Sequence, residues 1–284
     1  MVKSTLYPFR LLAGLCCLIG CSHTPDMYKM PPKQVAEIRS GYQSVGIVVS
    51  SYSTKPEILR PAKGPLNGAG RGFVIGAALP VMVGFSSPFP LGVVAGLFIA
   101  PVTGVAGSIY GAATAVPARE VAEAQAAIEQ AIANNRALDQ RQDFLYNLVA
   151  LGAQRTDLDF SILDDIGPAH RTDYPSYSHF INTAGIDVIL EIRSEKFGLR
   201  GLFTIDPYSS LFKQIRARLI KRKDNTVLFD VEYTCSSVRK MKYNQWANHS
   251  GELIVEGSFA CATELAEKII DDFFLVVPIR NGSR

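Results

Sequence analysis

From Gly72 to Ala118 the chain has no charged residue over 47 consecutive positions, although 19% of its 284 residues are charged. Prolines divide this run into an arm from Phe73 to Ser87 with Pro80 inside, a turn-like SSPFPLG, and an arm from Leu91 to Val116 with Pro101 inside. Two apolar arms about a proline-rich turn predict a helical hairpin. Small residues recur at helical spacing: Gly68, Gly72 and Gly76 on the first arm, then Gly92, Gly96, Ala100, Gly104 and Ser108 on the second, with Gly107, Gly111 and Ala115 beside them. In lipid, helices associate by close backbone approach over small residues, whereas in water each helical glycine costs about 1 kcal/mol relative to alanine. The second arm is long enough for about 30 Å of hydrocarbon, and the first needs the residues from Leu66 onward or a tilt. A hairpin over residues 64–117, inserted in or lying against a membrane, is therefore expected. The alternatives are a hairpin buried against protein and a flexible glycine tract. Both ends must rejoin one domain, so insertion requires two crossings, and association of copies through the small residues is a corollary.

The N-terminus has the order of an export signal. MVKSTLYPFR supplies Lys3 and Arg10 ahead of a short apolar run from Leu11 to Ile19, too short to span a bilayer. The run ends in Leu18, Ile19, Gly20 and Cys21, which resembles the lipobox of bacterial lipoproteins. The resemblance implies a signal peptide over residues 1–20 and lipidation of Cys21. Ser22 stands where an Asp would resemble an inner-membrane retention signal, so the implied location is the outer membrane, facing the periplasm. Residues 21–40 are polar and proline-bearing, as a tether would be. Cys235 and Cys261 are the two thiols left, a candidate disulfide in an oxidising compartment, with two separate buried thiols as the alternative. A net charge of +3 makes no case for nucleic acid.

The remainder predicts an α+β domain: a small, mainly antiparallel sheet covered by helices, into which the hairpin is inserted. SVGIVVSSY, within residues 41–63, is a buried strand and its linker. Residues 118–154 hold two amphipathic helices, one with Val121, Ala124, Ile128 and Ala131 on a single face and the next with Phe144, Leu145, Leu148 and Val149. Residues 155–284 complete the domain begun by 41–63, opening with a surface connection over 155–182. IDVILEIRSE alternates as a half-buried strand. FKQIRARLIK and TVLFDVEYT pair so that Leu219 meets Phe229, Ala217 meets Val231 and Ile215 meets Tyr233, while Arg218 faces Asp230 and Arg216 faces Glu232. This register leaves Lys223, Asp224 and Asn225 as a three-residue loop, with Asn225 in the left-handed region. Ala262, Leu265, Ala266, Ile269 and Phe273 form the buried face of a terminal helix.

The succession GIDVILEI, FKQIRARLIKRKDNTVLFDVEYT and a long helix resembles the periplasmic α/β domain of curli-secretion channel lipoproteins and of lipoprotein activators of penicillin-binding proteins. The resemblance covers roughly 40–52 and 118–278, and the inserted hairpin departs from it. The hairpin itself resembles the glycine-zipper double-transmembrane segments of bacterial envelope proteins.

Catalytic chemistry is sparse. The glycines at 68, 70, 72 and 76 miss the dinucleotide spacing, and no Walker loop, GxSxG, HExxH or CxxC occurs. His170 and His179 flank Asp173, a conceivable metal or acid–base site for which solvated loop residues are the commoner explanation. Arg239, Lys240 and Lys242, with Lys213, Arg216, Arg218, Lys221, Arg222 and Lys223, could form one basic patch, although Arg216 and Arg218 have acidic partners in this register and a solvated strand face is the commoner explanation. Trp246 is either a partner anchor or a cover for the core. The expectation is a non-enzymatic envelope lipoprotein without cofactor or metal, held by Cys21 and the hairpin. It would bind an envelope protein in assembly, secretion or cell-wall maintenance, and self-associate. The alternative is an oligomeric pore-forming or lysis protein.

Overall fold

A computed structural model of the chain describes residues 41–52, 54–85, 90–137, 140–163, 166–178 and 185–275. It is an α+β fold with one open, mainly antiparallel sheet. β1 (Ser44–Val49) lies between β3 (Asp159–Ile162) and β4 (Val188–Gly201), parallel to both; β5 (Tyr208–Lys221) and β6 (Thr226–Ser236) continue the sheet antiparallel. Two short strands pair with the far ends of the long central strands, β2 (Glu57–Ile58) on β4 and β7 (Met241–Lys242) on β5. The helices are α1 (Gly64–Phe85), α2 (Pro90–Thr114), α3 (Ala118–Ala137), α4 (Gln140–Arg155), α5 (Tyr243–Ala247) and α6 (Glu252–Phe274). β3 falls inside the connection expected to run over the surface. Four residues give little periodicity, and it is the parallel pairing of Val45 with Phe160 that makes them a strand.

The expected pairing of β5 with β6 is present from Ile215–Tyr233 to Leu219–Phe229. Beyond it Ile220 pairs with Val227, so Leu228 is a bulge and the loop has four residues, Arg222 to Asn225, rather than three. Asn225 has φ of 57°, the left-handed conformation that its short amide side chain tolerates.

α4 and α6 cover one face of the sheet. Phe144, Leu145 and Leu148 of α4 and Leu265, Ile269 and Phe273 of α6 close over Val188, Leu190, Ala217 and Leu219. Phe229 and Phe273 meet edge to face at 4.5 Å. The Cys235–Cys261 disulfide, with Cα atoms 5.5 Å apart, ties β6 to α6. Closing 26 residues is worth about 3 kcal/mol in the chain-entropy model. A second cluster gathers Val121, Ala124 and Ile128 of α3 with Leu199, Leu211 and Trp246. Trp246 is 1% exposed and donates its indole N–H to the Ser209 carbonyl at 3.1 Å. It covers the core, which removes it as a free partner anchor.

The opposite face corrects the half-buried reading of β4. Instead of facing water, Ile189, Glu191 and Arg193 are buried beneath the segment 166–178, whose Tyr177 is fully buried. Glu191, at 0% exposure, accepts from Arg193 Nε at 2.7 Å, Arg218 Nη1 at 3.0 Å and the Tyr177 hydroxyl at 2.6 Å. Arg193 also donates to the carbonyls of Arg171 at 3.1 Å and Asp173 at 2.5 Å, which fastens the covering segment down. Burial, reinforced by the bond to Glu191, drives the Tyr177 hydroxyl far above its ordinary pKa, so it serves as a permanent donor. Arg216, opposite Glu232 by register, reaches diagonally to Asp230 with bonds of 2.6 and 2.7 Å, and Arg218, opposite Asp230 as expected and 3.8 Å from its carboxylate, also binds Glu191.

Lys213 occupies the helix-covered face, with its ammonium 5.7 Å from the centre of the Phe144 ring, and burial pulls its pKa down to about 8.

Two stability predictions follow from these buried charges. Glu191→Ala, which leaves the buried Arg193 without its carboxylate and Arg218 with only Asp230 at 3.8 Å, should cost about 3–5 kcal/mol in urea unfolding. Because the folded-state pKa of Lys213 lies below its unfolded value, the native chain should gain stability as pH rises from about 8 to about 10.5. Lys213→Met should remove that slope and raise stability at pH 7 by about 3 kcal/mol.

Candidate functional site

α1 and α2 form the antiparallel hairpin that the charge-free run predicts, although α1 starts at Gly64 and so includes Arg71. The arms meet backbone to backbone. A Cβ added to Gly68, Gly72 or Gly76 would lie 2.1, 2.0 or 2.3 Å from the carbonyl oxygen of Gly111, Gly107 or Thr103. At Gly107 and Gly111 the clash is reciprocal, and at Gly104 the Phe73 ring fills the space. The side chains of residues 84–98, and with them Gly92 and Gly96, lie outside the described residues. A hairpin joined this way turns its bulky residues outward: Val102 is 71% and Ile109 70% exposed, and Leu79, Met82, Val83 and Val105 are exposed as well. Among the described residues no other element packs over these helices. α1 is long and apolar enough to cross a membrane over Gly64–Val83, with mean hydropathy 1.3. The hydroxyls of Thr103 and Thr114 donate to the carbonyls of Ile99 and Tyr110 in their own helix, which removes two donors from the outer surface.

At the base the chain leaves and returns at one point. Lys63 bridges to Val116, and the Gly64 N–H donates to the Val116 carbonyl at 3.0 Å. Gly64, at φ of 75°, makes the turn into α1. Arg71 Nη1 reaches back to the carbonyls of Arg60 at 2.8 Å and Thr204 at 2.9 Å, and its guanidinium lies 4.5 Å over the Phe203 ring. The one charged side chain of α1 is thereby drawn toward the sheet.

The expected basic patch is divided. Lys213 is buried under the helices, Arg218 is bound to Glu191, Arg216 is paired with Asp230 in mid-strand, and the remaining cations separate to the two ends of β5. Lys221, Arg222 and Lys223 lie at the β6 turn. Arg239, Lys240 and Lys242 lie near the start of β5, where Arg239 pairs with Glu256 at 3.4 Å and Lys242 with Asp206 at 2.7 Å. The hydrogen bond to Asp206 raises the Lys242 pKa. His170 is exposed, and Asp173 accepts its backbone N–H at 2.7 Å, a local turn rather than an acid–base pair. His179 and Cys21 lie outside the described residues. Among the described residues no group of three or more His, Cys, Asp or Glu side chains is placed to hold a metal. The fixed position of Trp246 and the burial of Glu191 could not be read locally, because residues far along the chain create both environments.

Two glycines separate helix propensity from close packing. Gly70 has open space around it, so Gly70→Ala should stabilise the chain in detergent micelles by about 1 kcal/mol. Gly72→Ala gains the same propensity but drives a methyl into the Gly107 carbonyl, and should lower the thermal midpoint instead.

No family model matches the chain. No curated protein matches it either. Among solved structures it is similar in part to protein XCC0632 from Xanthomonas campestris, of family DUF330, with 10% identity, a TM-score of 0.29 and coverage of 43% of this chain and 54% of that one. It is also similar in part to lipoprotein GNA1162 from Neisseria meningitidis, with 17% identity, a TM-score of 0.19 and coverage of 32% and 57%. The chain thus spans little more than half the length of either structure.

Proposed function

We propose that the chain is a non-enzymatic lipoprotein of the bacterial envelope, anchored in the outer membrane by lipid on Cys21. The α1–α2 hairpin makes the second membrane contact, and the α/β domain on the periplasmic side binds an envelope protein in assembly, secretion or cell-wall maintenance. The observation that carries this reading is the inverted surface of the hairpin: glycine backbones inside, large aliphatic side chains outside. Such a surface is unfavourable in water and favourable in hydrocarbon. It also supports a lipid-facing anchor over the wall of a pore, because the described outer residues offer no polar stripe to line a channel. With Gly68, Gly72, Gly76, Gly107 and Gly111 packed between arms of one copy, self-association would have to employ other surfaces of the hairpin.

Carbonate extraction of envelopes tests the two anchors separately. Cys21→Ser alone should remain membrane-bound through the hairpin. Replacement of residues 64–115 by a short Gly-Ser linker, which the Lys63–Val116 bridge accommodates, should remain bound through lipid. The combination should be released to the soluble fraction, and its retention would overturn the proposal.

A further inference from the structure

We infer that the loop between β4 and β5, with the first two turns of α1, forms a phospholipid-headgroup site that holds the α/β domain against the leaflet surface. The inference rests on the membrane insertion of the hairpin proposed above. Outside the hairpin, Leu202 and Phe203 present adjacent large apolar side chains to solvent, at 80% and 57% exposure. The loop that carries them is held firmly. The Ala62 N–H donates to the Ile205 carbonyl at 2.7 Å, Ile205 is buried, and Asp206 is paired with Lys242. Arg71 completes the attachment by binding the Thr204 carbonyl and lying over Phe203. Leu202 and Phe203 are therefore exposed by a fixed loop rather than by a loose one.

Between the loop and α1 lies a notch of about 400 Å³, lined by Lys63, Asn67 and Arg71 together with Leu66, Val74 and Phe203. No acidic residue lines it. An ammonium, an amide and a guanidinium beside aliphatic and aromatic surface match a phosphate ester attached to acyl chains, more closely than they match a free anion, for which the apolar wall has no use. The position agrees. Arg71 is the last charged residue before the 47 uncharged positions, and Leu66 and Tyr110 stand exposed on the same end of the hairpin. Cations and aromatic rings at that level are what a bilayer interface selects. Lys63 has no described anionic partner, and Arg71 Nη1 makes bonds only to carbonyls, so neither positive charge is neutralised within the described chain.

The test uses the mature chain with Cys21→Ser, reconstituted in phosphatidylcholine–phosphatidylglycerol vesicles. A fluorophore is attached through Leu79→Cys, Leu202→Cys or Lys223→Cys, the last at the opposite end of β5; Leu202 is exposed and does not line the notch. Headgroup-labelled quencher lipids should quench the probe at 202 several-fold more than the probe at 223, and acyl-chain quenchers should reach the probe at 79. Quenching at 79 without quenching at 202 would overturn this inference and leave the hairpin reading standing. Absence of quenching at 79 would instead remove the hairpin reading, and this inference with it. Lys63→Gln should reduce quenching at 202 while leaving 79 unchanged. If 202 is unaffected, or if inorganic phosphate produces the same reduction, the headgroup assignment fails.

Discussion

The α/β domain depends on a carboxylate with no access to water. Glu191 lies in a strand paired on both sides, and two guanidinium groups and a phenol converge on it. One such charge placed in the interior alone would be prohibitive, and only the close geometry of all three donors offsets the desolvation. The arrangement also explains how a polar segment can form a covering layer. Arg193 uses its remaining donors on the carbonyls of residues 171 and 173, so residues 166–178 supply backbone oxygens to the sheet where a helix would have supplied aliphatic side chains. One face of the sheet is closed by apolar burial under α4 and α6, the other by a charged network beside a smaller apolar cluster of Val48, Tyr177, Ile189 and Ile220.

The hairpin follows the opposite logic. Its cohesion comes from the absence of side chains between the arms, and its outer surface is the kind normally found inside a protein. The two parts meet through backbone pairing at Lys63 and Val116 and through Arg71, a cation that spans the boundary between them. A water-facing domain and a hairpin with an apolar outer surface therefore stand on either side of one short junction.

Much of this was legible from patterns that act over short distances. The apolar faces of α3, α4 and α6 follow the helical period, and the β5–β6 register follows from matching apolar to apolar and cation to anion across a tight turn. Asn225 announced the left-handed turn residue, although the bulge at Leu228 lengthened the loop by one position. Alternation in β4 was legible, but a period of two does not say which face meets solvent. The segment that hides Glu191 and Arg193 reads as polar and superficial because its contribution is made by carbonyl groups that every residue carries. Trp246 was undecidable for a related reason: its acceptor, the Ser209 carbonyl, is 37 positions away. Regular spacing revealed the glycines, but their pairing across the arms emerges only once both helices are placed.

The meeting of Lys63 with Val116 has a consequence for how the domain forms. β1 must find β4 and β3, and α3 must find its place beside them, across an insert of more than fifty residues. As a disordered loop, that insert would impose the closure entropy of a long flexible chain on the domain. Collapsed into a hairpin whose ends already touch, it behaves as a splice of a few residues. Helical ordering in the insert therefore lowers the entropic barrier to assembling a sheet with which it shares almost no side-chain contact.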